Sequence, residues 1–266
     1  MHVNDRIYTL IFFIKSIVTL IEGDNTFLFF AIFVPVTKLE HMASLLLRGW
    51  NWCCRFRHRC GYGVHSPSDF FLITFVIYEQ MPYYAYTVLH KERKARTAFP
   101  HYREKTDKLL FRLVNYLRPE SIWEFGTGSG LEASYMAAAR NVPLLTWSDG
   151  QKEPEVYSFL SDKPNIFYGT AWEEDVDKLL VGKECLELVH IAHTSSYREV
   201  FERLLPYAGK NTCFVVGRPY ENKEKREWWR QVVADPRTGV TFDLYDIGLV
   251  FFDKKRVKEH RVVNFL

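Results

Sequence analysis

Residues 121–140 constrain the fold of this chain more than any other stretch. They read S-I-W-E-F-G-T-G-S-G-L-E-A-S-Y-M-A-A-A-R. A short apolar run is followed by Gly126, Gly128 and Gly130, and then by residues that favour helix. This order predicts a strand, a tight turn and a helix. Glycines allow positive φ and leave no Cβ in the way of a ligand, and unpaired N–H groups at the start of the helix would form a polar cradle.

The rest of the chain alternates between strand and helix patterns. A second strand is predicted at residues 143–147, and further strands at 165–168, 186–192 and 212–216, each followed by a helix. Residues 240–245 and 249–252 are predicted to close the sheet as a hairpin. Strands that alternate with helices indicate a doubly wound α/β sheet, which binds ligands at the carboxyl ends of its strands.

The spacing of the glycines distinguishes between cofactors. A dinucleotide fold requires G-x-G-x-x-G, but Leu131 stands where the third glycine would be. The pattern from Glu124 to Gly130, acidic-x-G-x-G-x-G, resembles the first motif of the class I S-adenosylmethionine-dependent methyltransferases. That family passes its glycine turn under the methionine part of the cofactor. The alternative is a tight βα connection without a ligand.

The resemblance implies a Rossmann-like sheet of seven strands with an antiparallel last strand, preceded by N-terminal helices. It also implies a set of cofactor-binding residues. Asp149 would accept hydrogen bonds from the ribose hydroxyls, unless it only forms an Asp-Gly turn, and the ring of Trp172 would stack on adenine. The full set is Glu124, Gly126, Thr127, Gly128, Gly130, Asp149, Gly150, Thr170, Ala171 and Trp172.

The predicted catalytic positions depart from the relatives that act on catechols. Those enzymes hold a divalent metal with acids after strands four and five, whereas this chain has Ala192 and then Gly217-Arg218-Pro219-Tyr220. Oxygen ligands are what such a metal needs, so no metal is expected. His193 is the candidate base, because a neutral imidazole accepts a proton near pH 7. Arg218, Tyr220 and His65 are candidate contacts for a small or anionic substrate.

Residues 42–118 form a basic helical lead-in to the class I methyltransferase-like domain at 119–266. Between Arg48 and Arg118, 13 basic and five acidic side chains give a net charge of +8, against −4 for residues 119–266. Such a surface suits RNA or anionic lipid, but a solvated helical face is the preferred explanation, and no aromatic-interleaved nucleic-acid motif is evident. The string G-V-H-S-P resembles the lead-in of bacterial methyltransferase-like proteins of the Bacteroidetes type. It predicts a helix from Pro67 to about Glu79 that is capped by Ser66.

Residues 1–41 are interpreted as an apolar extension outside the fold, with Met42 as the expected start of translation. The apolar runs at 7–21 and 27–36 fall short of the roughly 18 residues that cross a membrane. Membrane association through residues 7–36 is the alternative.

Five unevenly spaced cysteines indicate a reducing cytoplasm rather than a disulfide framework. The group Cys53, Cys54, His58, Cys60 and His65 matches no zinc spacing.

Three functions are therefore consistent with the sequence. The first is methyl transfer from S-adenosylmethionine to a small or anionic substrate. The second is a cofactor-binding relative that has lost catalysis and acts through protein contacts. The third is a methyltransferase that acts on RNA or at a membrane surface and uses the basic lead-in.

Overall fold

The computed structural model describes residues 36–94, 96 and 99–266, and for residues 36–44 it describes the backbone alone. Apart from Val36, the apolar stretch 7–36 lies outside the described residues. Helix α1, Val36–Cys54, contains Met42 and belongs to a first compact unit that ends at Cys54, and Arg55–Leu266 form a second unit. None of the helices in the described ranges is both long and apolar enough to cross a membrane.

The second unit opens with the lead-in helices. These are α2 at Pro67–Leu72, which continues as a π-helical segment at Ile73–Ile77, α3 at Ala85–Lys94 and α4 at Glu104–Leu117. Helix α2 begins at Pro67 as predicted, but the Ser66 hydroxyl bonds to that of Ser68 rather than capping the helix. Helix α3 escaped prediction because Leu89 is its one buried side chain, too little for a periodic pattern.

Part of the positive charge of the lead-in is used inside the fold. The Arg55 guanidinium lies 2.9 Å from the Asp243 carboxylate, and Arg93 pairs with the buried Asp107. Arg112 donates to two backbone carbonyls at 2.6 and 2.9 Å. These cations are therefore structural, and a charge count from sequence overstates what the lead-in presents to a partner.

An eight-stranded sheet follows in the order β3-β2-β1-β4-β5-β7-β6-β8. Its strands are β1 at Ile122–Phe125, β2 at Leu144–Trp147, β3 at Ile166–Gly169, β4 at Leu186–Ile191, β5 at Ala208–Gly217, β6 at Thr241–Asp243, β7 at Ile247–Phe251 and β8 at His260–Val262. The helices between them are α5 at Leu131–Ala139, α6 at Pro154–Ser161, α7 at Trp172–Leu180, α8 at Tyr197–Leu204 and α9 at Lys223–Ala234. The doubly wound α/β prediction is confirmed.

The hairpin carries the antiparallel strand that was expected. Strands β1 to β5 pair in parallel, whereas β7 runs antiparallel to both β5 and β6. The sheet has one strand more than predicted, because β8 adds in parallel to β6. This strand has three residues, none of them fully buried, so it lacks an apolar signal.

Alternation along the strands builds an apolar core on each face of the sheet. Leu144, Leu188 and Val215 point towards α4 and α5 in one core. Trp123, Val189 and Phe214 point the other way, towards α7, α8 and α9. The buried polar residues Glu124, Thr146 and His190 lie on the face of the first core, near the carboxyl ends of their strands. The fold therefore concentrates polar chemistry at that edge.

Candidate active site

The glycine turn joins β1 to α5 at the carboxyl edge of the sheet. Gly126, Gly128 and Gly130 have φ of +91°, +53° and +74°, which confirms the tight turn predicted from their spacing. A Cβ on Gly126 would lie 2.6 Å from the Thr194 amide nitrogen and still closer to the backbone of His193. A Cβ on Gly128 would lie 2.6 Å from both the Pro100 carbonyl oxygen and the His193 ring. The protein's own residues therefore occupy the space that glycine leaves open.

Three amides between the turn and the helix start are bonded within the chain, where the sequence predicts an open polar cradle. Ser129 N donates to the Pro100 carbonyl at 2.9 Å, and Gly130 N donates to the Thr127 carbonyl at 2.9 Å. Leu131 N donates to the Ser129 hydroxyl at 3.3 Å. A preceding loop and groups of the turn itself supply the acceptors of these three amides, and the cradle stays a prediction for the rest of the helix start.

Glu124 and Thr127 face a buried polar network rather than an open site. The strand register places Glu124 beside Thr146 and His190. Thr146 Oγ1 donates to Glu124 at 2.7 Å, and His190 Nδ1 lies 2.9 Å from the other carboxylate oxygen. The Thr127 and Thr146 hydroxyls are 2.7 Å apart. Glu124 is wholly buried, and its carboxylate links β1 to β2 and β4 through Thr146 and His190. Its contact with a cofactor stays a prediction.

The network continues into residues 100–102, here named the covering segment. Tyr102 is buried, and its hydroxyl lies 3.3 Å from His190 Nε2. The tyrosine ring packs on His193 with centroids 4.8 Å apart. Burial, followed by the charge of Glu132, raises the pKa of Tyr102 well above its usual range. Tyr102 therefore acts here as a neutral, deeply placed side chain at the carboxyl edge.

His193 and Glu132 form a buried pair beside the turn. His193 follows β4, and its Nε2 lies 3.0 Å from Glu132 Oε1 on the first turn of α5. Glu132 also accepts from Tyr102 N at 2.9 Å. Burial alone would raise the pKa of Glu132, but the hydrogen bond with His193 lowers it below its ordinary value. The structure thus brings the predicted base to the predicted turn and adds a carboxylate that fixes its orientation.

Sequence reasoning did not find Glu132 or Tyr102. A signal existed for Glu132, which is the one carboxylate in a helix made mostly of small and apolar residues. A lone charge on a buried helix calls for a partner. Tyr102 stands in the polar run H-Y-R-E-K, and nothing local there predicts burial.

Arg218 and Tyr220 make separate contacts after β5. Arg218, at φ +45°, donates to the His101 carbonyl at 2.7 Å, with its guanidinium 5.8 Å from the Tyr102 ring. The Tyr220 hydroxyl donates instead to Asp243, and its ring stacks on Tyr245 at 5.2 Å. These contacts tie Arg218 to the covering segment and Tyr220 to the β6–β7 hairpin. The expectation that they share one anion-binding site stays a prediction.

The ends of β2 and β3 form a more open part of the same edge. Asp149 is exposed, and its carboxylate accepts from Thr194 Oγ1 at 2.8 Å, Ser195 N at 2.7 Å and Ser195 Oγ at 2.9 Å. Gly150, at φ +89°, has nothing within 4 Å of its Cβ position. Thr170 is half-buried and Ala171 exposed. These residues line an accessible rim.

Trp172 is buried and does not lie on the open surface of this rim. The Trp172 ring is 4% exposed and packs edge-on against Phe125 at 5.8 Å in the second core. It faces the core because it opens α7 on the helix stripe that contacts the sheet. His65 is exposed in the loop before α2. In the described ranges, no three or more His, Cys, Asp or Glu residues are grouped so that they could hold a metal ion.

Comparisons with known proteins give a structural likeness only. No protein-family model matches the chain, and no curated protein does. A candidate caffeoyl-CoA O-methyltransferase from Staphylococcus aureus shares 13% identity and has a TM-score of 0.52, over 70% of this chain and all of that one. An O-methyltransferase from Bacillus cereus, solved with S-adenosylhomocysteine (SAH), shares 16% identity with a TM-score of 0.51, over 66% of this chain and 95% of that one.

A third likeness is to TomG from Streptomyces achromogenes, an O-methyltransferase of tomaymycin synthesis solved with S-adenosylmethionine (SAM). It shares 15% identity with a TM-score of 0.50, over 65% of this chain and 91% of that one. Nearly the whole length of each of these proteins is matched, at identities that speak only for architecture. The chain therefore has the fold of the class I O-methyltransferases.

Proposed function

We propose that this chain is a SAM-dependent methyltransferase that transfers a methyl group to an oxygen or nitrogen atom of a small or anionic molecule without a divalent metal. One observation carries the proposal. The positive-φ glycine turn after β1 and the acidic residue after β2 share the carboxyl edge of the sheet, where open α/β folds bind their ligands. The cofactors bound to TomG and to the Bacillus cereus enzyme support the choice of SAM.

The residues after β2 and β3 fit the nucleoside half of this cofactor. A carboxylate offers about four lone-pair positions, and Asp149 uses three of them on Thr194 and Ser195. Its Oδ1, with one bond, retains capacity for a ribose hydroxyl. The open space at Gly150 leaves room for a sugar beside it. Thr170 and Ala171 would border the base.

The residues around the glycine turn fit the methionine half only after a rearrangement. The covering segment and His193 lie on the turn, and the Ser129 amide is already paired with Pro100. A charged amino-acid tail needs donors of this kind. Withdrawal of residues 100–102 would free the Ser129 amide and the surface of Gly128. The proposal therefore includes an open conformation in addition to the one described.

When bound, the cofactor supplies a methyl group on a positively charged sulfur. The chain supplies the proton acceptor and the orientation. Because His193 Nε2 lies beside the ionised Glu132, we assign the proton to that nitrogen. Nδ1 then keeps its lone pair and can take a proton from an attacking hydroxyl or amine. Arg218 carries a fixed positive charge near this position, as an anionic substrate requires.

Calorimetric titration of SAM and SAH into the full chain tests the proposal. We expect micromolar binding to the unchanged protein. Asp149→Asn should weaken it about tenfold or more, equivalent to about 1.4 kcal/mol, because an amide is a poorer acceptor than a carboxylate for the ribose hydroxyl. Asp162→Asn makes the same change at an exposed residue just after α6 and should leave binding unchanged. A folded protein that binds neither nucleoside would overturn the proposal.

A cofactor-binding relative without catalysis is the second candidate. The bonded Ser129 amide favours it, since Pro100 and His193 lie against Gly128 in the described conformation. It predicts that the nucleoside half alone binds. Titration with 5′-methylthioadenosine, which lacks the amino-acid tail, separates the two readings. Equal affinities for this compound and for SAH would favour the non-catalytic relative, and clearly tighter SAH would favour the methyltransferase.

A further inference from the structure

We infer that Glu132 is a positioning residue that latches the covering segment over the glycine turn, and that the cofactor site opens when this latch releases. The inference rests on the proposed function, because it names what must move before the methionine half can bind. It also assigns a role to a buried carboxylate that the sequence reading did not place.

The latch is a single carboxylate that holds two elements. Glu132 has no exposed surface, and one of its oxygens accepts from both Tyr102 N and His193 Nε2. The Ser129 hydroxyl lies 3.4 Å from the other oxygen. A buried carboxylate is stable only when donors satisfy it. The closed segment is one of the donors that Glu132 requires, and His193 is the donor that would remain after opening.

Backbone carbonyls anchor the rest of the segment. Pro100 accepts from Ser129 N at 2.9 Å, and His101 accepts from the Arg218 guanidinium at 2.7 Å. The Tyr102 carbonyl accepts from Arg93, which is itself held by the buried Asp107. Each carbonyl of the segment is therefore bonded to a different element of the fold. These bonds are reversible, because carbonyls and amides at this edge can exchange protein partners for water or ligand.

Tyr102 is the one residue of the covering segment that reaches deep into the edge. Pro100 is exposed, His101 is half-buried, and the following Arg103 is exposed. A Cβ on Gly217 would lie 3.0 Å from the Tyr102 ring carbon Cζ and closer to its hydroxyl. Glycine at the end of β5 thus makes room for the tyrosine. Opening needs the withdrawal of one ring from a fitted space, so the moving unit is small.

The position of Glu132 between Tyr102 and His193 explains why this latch would matter for catalysis. The same carboxylate that releases Tyr102 N keeps its bond to His193, so the candidate base stays oriented in the open form. A ligand that binds only the open form has an apparent affinity equal to its affinity for that form multiplied by the fraction of molecules that are open. Any change that opens the segment should therefore tighten cofactor binding by the same factor. A residue with a merely structural role would weaken binding when removed.

Amide hydrogen exchange on the full chain, read by mass spectrometry, measures the opening of the covering segment directly. In the unchanged protein, saturating SAH should speed exchange in peptides covering residues 100–103 and slow it in peptides covering 127–131. Glu132→Gln keeps the shape but removes the charge. It should speed exchange at residues 100–103 at least several-fold without ligand and lower the Kd for SAH by a similar factor. Exchange in β7 should not change, which reports that the fold is intact.

Two further variants keep the test decisive. Tyr102→Ala removes the deep ring and leaves Glu132 in place, so it should open the segment even if Glu132→Gln fails to fold. Tyr102→Phe removes the hydroxyl alone and should leave both exchange and binding close to those of the unchanged protein. SAH binding with unchanged exchange at residues 100–103 would overturn the latch and the open conformation, while methyl transfer from SAM at this edge of the sheet would stand. Faster exchange in the variants with no nucleoside binding in any of them would overturn the proposed function and the cofactor part of the inference together.

Discussion

The carboxyl edge of the sheet has two halves that differ in how much of their polar chemistry the protein itself uses. The inner half comprises the glycine turn and the ends of β4 and β5, and there the amides, carboxylates and imidazoles bond to one another beneath the covering segment. The outer half comprises the ends of β2 and β3, and there Asp149, Gly150 and Ala171 are exposed. One topological edge thus carries a closed region and an open one.

Two glycines, one in each half, show the difference in packing. Gly126 in the inner half and Gly150 in the outer half have nearly the same φ, +91° and +89°. A Cβ on the first would strike the backbone after β4, whereas a Cβ on the second would meet nothing within 4 Å. The same residue type therefore serves close packing in one place and only backbone conformation in the other. A glycine motif alone does not reveal which of the two applies.

The largest expected effect separates these two glycines. Gly126→Ala should destabilise the fold by about 2–6 kcal/mol, the sum of about 1–3 for the positive φ and about 1–3 for overpacking. No rotamer change relieves the clash, because the atoms it meets are backbone. Gly150→Ala should cost about 1–3 kcal/mol, for the φ alone. Urea unfolding of both variants measures the difference, and equal losses would show that the halves do not differ in packing.

The next effect concerns Trp172, which lies under the outer half. Its ring packs in the second core, so Trp172→Ala should cost about 3–5 kcal/mol of stability. Trp172→Phe keeps an aromatic ring against Phe125 and should cost less. Calorimetry on the Phe variant then tests the adenine-stacking role without loss of the fold. We expect unchanged SAH affinity. A marked loss of SAH affinity in the folded Phe variant would indicate that Trp172 contacts the adenine after all.

The contrast between the halves also explains how far the sequence could predict this molecule. The strands that build the sheet have strong apolar patterns, so β1 to β5 and the hairpin were placed within a few residues of their observed bounds. The glycine spacing predicted a tight turn, and the turn is there. Local signals of this kind reflect burial and backbone geometry, which neighbouring residues largely determine.

The covering segment could not be predicted in this way. Residues 100–102 meet Ser129, Glu132, His193 and Arg218 through contacts that are distant in sequence. No periodic pattern in the sequence indicates that this short polar segment packs at the carboxyl edge of the sheet. The sequence predicts free amides at the start of α5 because the first N–H groups of a helix have no acceptor within that helix. The acceptor came from a loop about 30 residues upstream, and only the tertiary fold brings it there.

The smallest effect compares two serines, one in each half. Ser129 is buried, accepts from Leu131 N and donates to Glu132, so Ser129→Ala should cost about 1–3 kcal/mol by leaving buried polar groups unpaired. Ser195 is exposed and bonds to Asp149 through both its hydroxyl and its amide, and the amide remains in Ser195→Ala. That variant should lose only about 0.5–1 kcal/mol or less, because water replaces the hydroxyl. It also frees an acceptor position on Asp149, so SAH should bind at least as tightly as to the unchanged protein. Weaker binding with unchanged stability would mean that the Ser195 hydroxyl itself contacts the nucleoside, and the outer half would then be a preformed site rather than an open rim.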